Sequence, residues 1–166
     1  MKSIIEVSGK TALKLKWIAE FVALSVIKFM GQPDELEVAI EFVSEKEIQR
    51  LNREERNIDK VTDVLSFPSI SLEPGDKLNV NSEECEFLKT DSGLIHFGDM
   101  AICIKRLREQ AQDFGWTAEL ELKKLVIHSM LHLMGYDHIK DEDYEIMKSE
   151  EDKLDKLINI EVFNGI

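Results

Sequence analysis

The chain is poor in cysteine, has no long apolar run and carries no surplus of positive charge. Its two cysteines, Cys85 and Cys103, form no Cys-x-x-Cys pair and sit in dissimilar surroundings. That excludes a disulfide framework and a thiolate zinc site, and leaves two reduced thiols as in a cytosolic protein. The most apolar stretch, residues 21–27 between Glu20 and Lys28, is too short to cross a bilayer. The N-terminal segment has no extended hydrophobic region and carries Glu6 early, so no signal peptide is expected. A cytoplasmic protein without a membrane partner follows. The net charge of −12, taken alone, counts against a polyanionic partner, because affinity for nucleic acid rests on Lys and Arg neutralising phosphates. The acid is uneven, however. It gathers at Glu83, Glu84 and Glu86 and between Asp141 and Asp155, while the middle holds Arg53, Arg56, Lys60, Lys105, Arg106 and Arg108. One face can therefore carry a local basic patch.

With 166 residues, 43% of them apolar, the chain is expected to form one globular domain over 1–166 with a core that needs no staple. A metal site in it would serve function more than folding. Residues 4–7 read as a strand, and 11–30 as a long helix with Leu13, Trp17, Phe21 and Leu24 at helical spacing. Leu36 to Phe42 alternates as a half-buried strand. Ser44 with Glu47 forms a capping box opening a helix that ends near 53–56. Residues 61–67 form the next strand. Residues 69–93, rich in Ser, Glu, Asp and Asn and without period, read as an exposed excursion. A strand over 97–104, a helix over 105–114 stopped by Gly115, a helix from Thr117 to Met134, and an acidic helix over 141–157 complete the order. The expected class is α+β, a small mixed sheet with packed helices.

His128, His132 and His138 carry the chemistry. Residues i and i+4 share a helix face, so the first two imidazoles can reach one point. Gly135 allows a sharp turn, and His138 can swing back to that point. Three imidazoles with a fourth position open describe a catalytic zinc site. The spacing His-x3-His-x2-Gly-x2-His is shared with the metzincin signature, but Ser129 stands where zinc peptidases carry their Glu base. Isolated helix histidines are usually core residues. Three of the chain's four histidines within eleven residues outweigh that reading. His96, the fourth, reads as a surface residue.

The run His128-Ser-Met-Leu-His132-Leu-Met-Gly135-Tyr-Asp137-His138 resembles the signature of the YbeY endoribonucleases, ribosomal RNA maturation factors. Leu51-Asn52-x-x-x-Arg56, followed by Thr62-Asp63-Val64-Leu65-Ser66-Phe67-Pro68, is similar to a second motif of that family. Phe97-Gly98-Asp99-Met100-Ala101-Ile102-Cys103 is similar to a third. The chain departs at Ser129, where Gly is usual, at Val61, where Pro is common, and in its longer excursion. The resemblance implies a zincin-like fold, one zinc ion per chain, and hydrolysis of single-stranded RNA in ribosomal RNA maturation, including the small-subunit 3′ end, and in ribosome quality control. Its partners would be ribosomal RNA, the small subunit and ribosome-associated proteins. Nickel or another transition metal can also occupy three imidazoles.

A zinc ion acidifies a bound water, and phosphodiester cleavage also needs positive charge at phosphorus. Arg56, matching the family's motif arginine, is the candidate for that charge; from position alone it reads as a solvated helix end. Asp63, Asp99 and Asp137 are candidates to orient ligand histidines. Met147 and the tryptophans read as core. Two other classes stay in play: a zinc peptidase or amidase with its base elsewhere, and a non-catalytic ribosome-associated factor with a structural metal.

Overall fold

Alternation along Leu36–Val43 (β2) buries Leu36, Val38, Ile40 and Phe42 on one face, as its period of two requires. The computed structural model describes residues 2–166, so Met1 of the expected domain lies outside the described residues. β2 is flanked by β1 (Ile4–Gly9) and β4 (Ile95–Cys103), both parallel to it. β3 (Val64–Pro68) closes the sheet antiparallel to β4, giving the order β1-β2-β4-β3.

Helix α1 (Leu13–Phe29) connects β1 to β2, and α2 (Glu45–Arg56) follows β2. A short α3 (Glu83–Phe87) precedes β4. α4 (Ile104–Phe114), α5 (Ala118–Leu133) and α6 (Asp141–Leu157) complete the chain. The two faces of β4 divide the core. Met100 and Ile102 join the main cluster with β2, α1 and α5, while Ala101 and Cys103 join Ile48 of α2 and Leu65 of β3. α5 therefore runs through the interior, apolar around most of its circumference, from a cap in which the Thr117 hydroxyl accepts the Leu120 N–H at 3.1 Å. Gly98 permits its close approach: a Cβ there would lie 2.7 Å from Leu133 Cδ2 and 2.9 Å from the Phe67 carbonyl.

Three expectations are corrected. The stripe Leu13, Trp17, Phe21 is the outer side of α1. Its inner side is Leu15, Ile18, Ala19, Val22, Ala23, Val26 and Ile27. α1 is apolar on both sides, so periodicity could not choose between them, and the smaller set packs against the sheet. Ser44 accepts the Glu47 N–H at 3.1 Å, but the Glu47 carboxylate turns to Arg50 and leaves the capping box half made. The excursion 69–93 is not wholly exposed. It buries Ile70, Leu78 and Cys85, and the Gln32 amide clamps it by donating to the Asp76 carbonyl at 2.9 Å and accepting the Leu78 N–H at 3.0 Å.

Candidate metal centre and substrate groove

His128 and His132 lie one turn apart on α5, near its C-terminal end. The chain leaves the helix through Gly135 at φ +95°. A Cβ at Gly135 would lie 1.9 Å from the Leu72 carbonyl oxygen, so the excursion presses against this turn and only glycine fits. Gly135→Ala combines that clash with backbone strain of about 1–3 kcal/mol. It should lower the melting temperature and loosen His138 together, read by thermal unfolding and metal content of the same preparation.

The turn returns His138 to the helix. The Asp137 carboxylate accepts the His138 N–H at 2.7 Å, so Asp137 shapes the turn. Donor atoms of the three histidines lie within 4.8 Å of one another. The His128 and His132 Nε2 atoms are 3.0 Å apart. His132 Nδ1 lies 2.9 Å from the Tyr136 carbonyl, which can only accept, so that nitrogen carries its proton. His128 Nδ1 lies 3.1 Å from the Glu151 carboxylate and donates to it in the same way. Both Nε2 atoms then present lone pairs to each other. Two facing lone pairs repel unless a cation stands between them, and zinc bonds of about 2.0–2.1 Å would set two such nitrogens at a comparable separation. Metal ligands characteristically donate their second ring nitrogen to a carboxylate or carbonyl, as here. The donor set fits a borderline divalent metal. Burial first, then the neighbouring imidazoles, lowers the His132 pKa against the opposing Tyr136 carbonyl, which favours the neutral form a metal needs.

The histidines line an open groove of about 1170 Å³, larger than the about 300–1,000 Å³ of small-molecule pockets. Its walls come from β3, residues 69–72 of the excursion, α5 and Glu151 of α6. Arg56 reaches it from the end of α2, where Asn57 closes the helix at φ +60° and the Asn52 amide donates to the Lys60 carbonyl at 3.0 Å. Its guanidinium donates to the Ser66 carbonyl at 2.5 Å and stands 5.3 Å from the Phe67 ring centroid. Those contacts hold the fork at the groove wall. Of the six cations expected as a basic patch, only Arg56 lines the groove. Arg53 pairs with Asp59, Lys105 with Glu45 and Arg106 with Glu109.

None of the three aspartates is hydrogen-bonded to an imidazole of the cluster. Asp63 lines the groove, but its carboxylate accepts from the Val64 N–H at 2.8 Å and from Thr62, stabilising its own turn. Asp99 points elsewhere and pairs with the half-buried His96 at 3.0 Å. The carboxylate that does meet an imidazole of the cluster is Glu151, at His128 Nδ1, and the sequence did not single it out. One signal was available: Glu151 lies four residues after buried Met147 and three before buried Leu154, a carboxylate on the inward stripe of α6. Ser129 is fully buried, and its hydroxyl lies 2.6 Å from that of Ser66, tying α5 to β3.

None of the three histidines belongs to the buried hydrophobic clusters, so the core is assembled without the metal. Chelated protein should therefore still unfold cooperatively, at a melting temperature lowered by linkage, as calorimetry with and without chelator would record.

Residues 5–159 match the family model described as Endoribonuclease YbeY. Endoribonuclease YbeY of Clostridium acetobutylicum is 40% identical over 130 residues, covering 77% of this chain and 78% of the relative. Endoribonuclease YbeY of Thermoanaerobacter pseudethanolicus is 37% identical over 150 residues, covering 90% and 91%. A Thermotoga maritima protein of known solution structure superimposes with a TM-score of 0.55 at 28% identity, over 91% of this chain and 89% of that one.

Proposed function

The chain belongs to the YbeY endoribonuclease family, and from that membership we propose that His128, His132 and His138 hold one metal ion, zinc by preference, for the hydrolysis of single-stranded RNA. It is a metal-dependent RNA hydrolase of ribosomal RNA maturation. The finer reading adds precursors of small-subunit RNA, including the 3′ end, as substrate, ribosome-associated proteins as partners, and the cytoplasm as its place. Among the described residues no helix is long and apolar enough to cross a membrane.

The observation that carries the reading is the pair of Nε2 atoms at 3.0 Å, both with Nδ1 engaged, beside a fixed guanidinium in an open groove. A bound metal supplies Lewis acidity toward a phosphoryl oxygen and acidifies water. The chain's own residues do the rest. Glu151 and the Tyr136 carbonyl keep the two Nδ1 protons on the outer side of the rings. Arg56, always charged and forked, meets a phosphate's non-bridging oxygens with the N–H groups that Ser66 does not take, where negative charge develops as the phosphodiester breaks. The groove between β3 and the excursion holds the strand along this line.

The peptidase reading loses ground on one observation. The position of the helix Glu base is Ser129, fully buried, with its hydroxyl engaged by that of Ser66 and no carboxylate to offer. A structural metal is disfavoured because the cluster found among the described residues offers three side chains, whereas structural zinc takes four. Parallel assays of purified metal-loaded protein on a single-stranded RNA and on a peptide should show cleavage of the RNA alone. Peptide hydrolysis without RNA cleavage would overturn the proposal.

A further inference from the structure

We propose that Glu151 is a positioning residue for the metal. It holds His128 with Nδ1–H toward α6 and Nε2 toward the ion, so that metal retention depends on the docking of α6. The inference rests on the reading that the three histidines hold a metal, and adds a residue and a coupling to it.

Glu151 sits where helical periodicity calls for an apolar side chain, between Met147 and Leu154, each 1% exposed. A carboxylate in such a place is costly unless it is partnered. Its partner is the His128 imidazole, at 3.1 Å, with both side chains about a quarter exposed. The contact needs no protonated histidine, because a neutral ring donates through Nδ1 while Nε2 keeps its lone pair. A carboxylate in that role makes Nε2 a stronger donor to a cation and removes the alternative tautomer, in which Nε2 would carry the proton and could not ligate.

His132 has only the neutral Tyr136 carbonyl in the same role, so the charge in this outer layer comes from α6. The segment leading into α6 delivers the third ligand, and the His138 ring stacks on His128 with centroids 5.5 Å apart at 26°. One stretch of chain thus supplies a ligand and the carboxylate that orients another. α6 is otherwise fastened by Met147, Leu154, Ile158 and the pairing of Lys123 and Lys124 with Asp155. If Glu151 touches the metal-bearing ring only in docked α6, then docking favours the metal and the metal favours docking by the same factor.

The test is a zinc competition titration against a chromogenic chelator, on full-length chain stripped of metal, with melting temperatures of the stripped proteins recorded beside it. Glu151→Ala should bind zinc about 10–100-fold more weakly than wild type. Glu151→Gln keeps an accepting oxygen without the charge and should fall between the two. Glu145→Ala, an exposed acid on the same helix, should bind as wild type does. The stripped melting temperatures should stay close together, which a merely structural role for Glu151 would not allow. Wild-type zinc affinity in Glu151→Ala, or an equal loss in Glu145→Ala, overturns the inference. If Glu151→Ala fails to fold, Glu151→Gln decides, and wild-type affinity there overturns it equally. Wild-type protein that takes up no zinc removes the metal reading itself, an outcome distinct from an unaffected variant.

Discussion

Arg56→Ala should leave metal content unchanged and lower RNA cleavage by about 100- to 1,000-fold, the scale of losing one fixed donor to transition-state charge. The side chain is exposed and outside the core, so its structural contribution is small. It gives up one bond to the Ser66 carbonyl and a cation–π contact of about 0.5–1 kcal/mol. For a domain of this length that lowers the melting temperature by only about 2–4 °C. Arg56→Lys should recover part of the rate, because an ammonium restores the charge without the bidentate fork. Single-turnover cleavage of a single-stranded RNA, with metal confirmed in each sample, reads the effect. Wild-type rates in metal-loaded Arg56→Ala would remove Arg56 from the chemistry and leave it a helix-end residue stacked on Phe67.

His132→Ala should lose metal and cleavage together. Four-ligand structural zinc sites hold their ion with about 10–16 kcal/mol, so one ligand's share is about 2.5–4 kcal/mol, or about 10²–10³ in affinity. At micromolar protein with no excess metal the variant should purify empty, and its cleavage should fall below that of Arg56→Ala. The Tyr136 carbonyl, now without its Nδ1 donor, adds a destabilisation of about 1–3 kcal/mol if water does not replace it. The contrast between the two variants is diagnostic: one empties the site, the other keeps it filled and idle. His132→Ala with full metal content would mean that the ion sits elsewhere.

Element order was legible because the periods are strong. β2 alternates cleanly, α2 and α5 open on side-chain caps, and helices α2, α4 and α5 end at residues suited to closing them. What sequence could not show was choice of face and long-range company. α1 offers two apolar sides, and only the sheet selects between them. α3 is five residues long and has no period to read. The three clustered histidines stood out because their spacing is local to one helix and one turn. Asp63 and Asp99 looked like their supports, but backbone geometry turns one to its own turn and the other to His96. Glu151 was hidden among the acids of the tail. It is separated from His128 by 23 residues and joined to it only when α6 packs. Leu72 against Gly135 is of the same kind, a tertiary contact from a stretch that carries no pattern.

The histidine cluster is proposed to hold the metal on which RNA hydrolysis depends. That dependence is tested most directly by measuring cleavage of a single-stranded RNA by protein stripped with chelator, dialysed, and titrated with zinc. Cleavage should vanish on stripping, return in proportion to added zinc, and saturate at about one equivalent per chain, the capacity of a single three-histidine site. Full cleavage by protein shown to be metal-free would contradict the account.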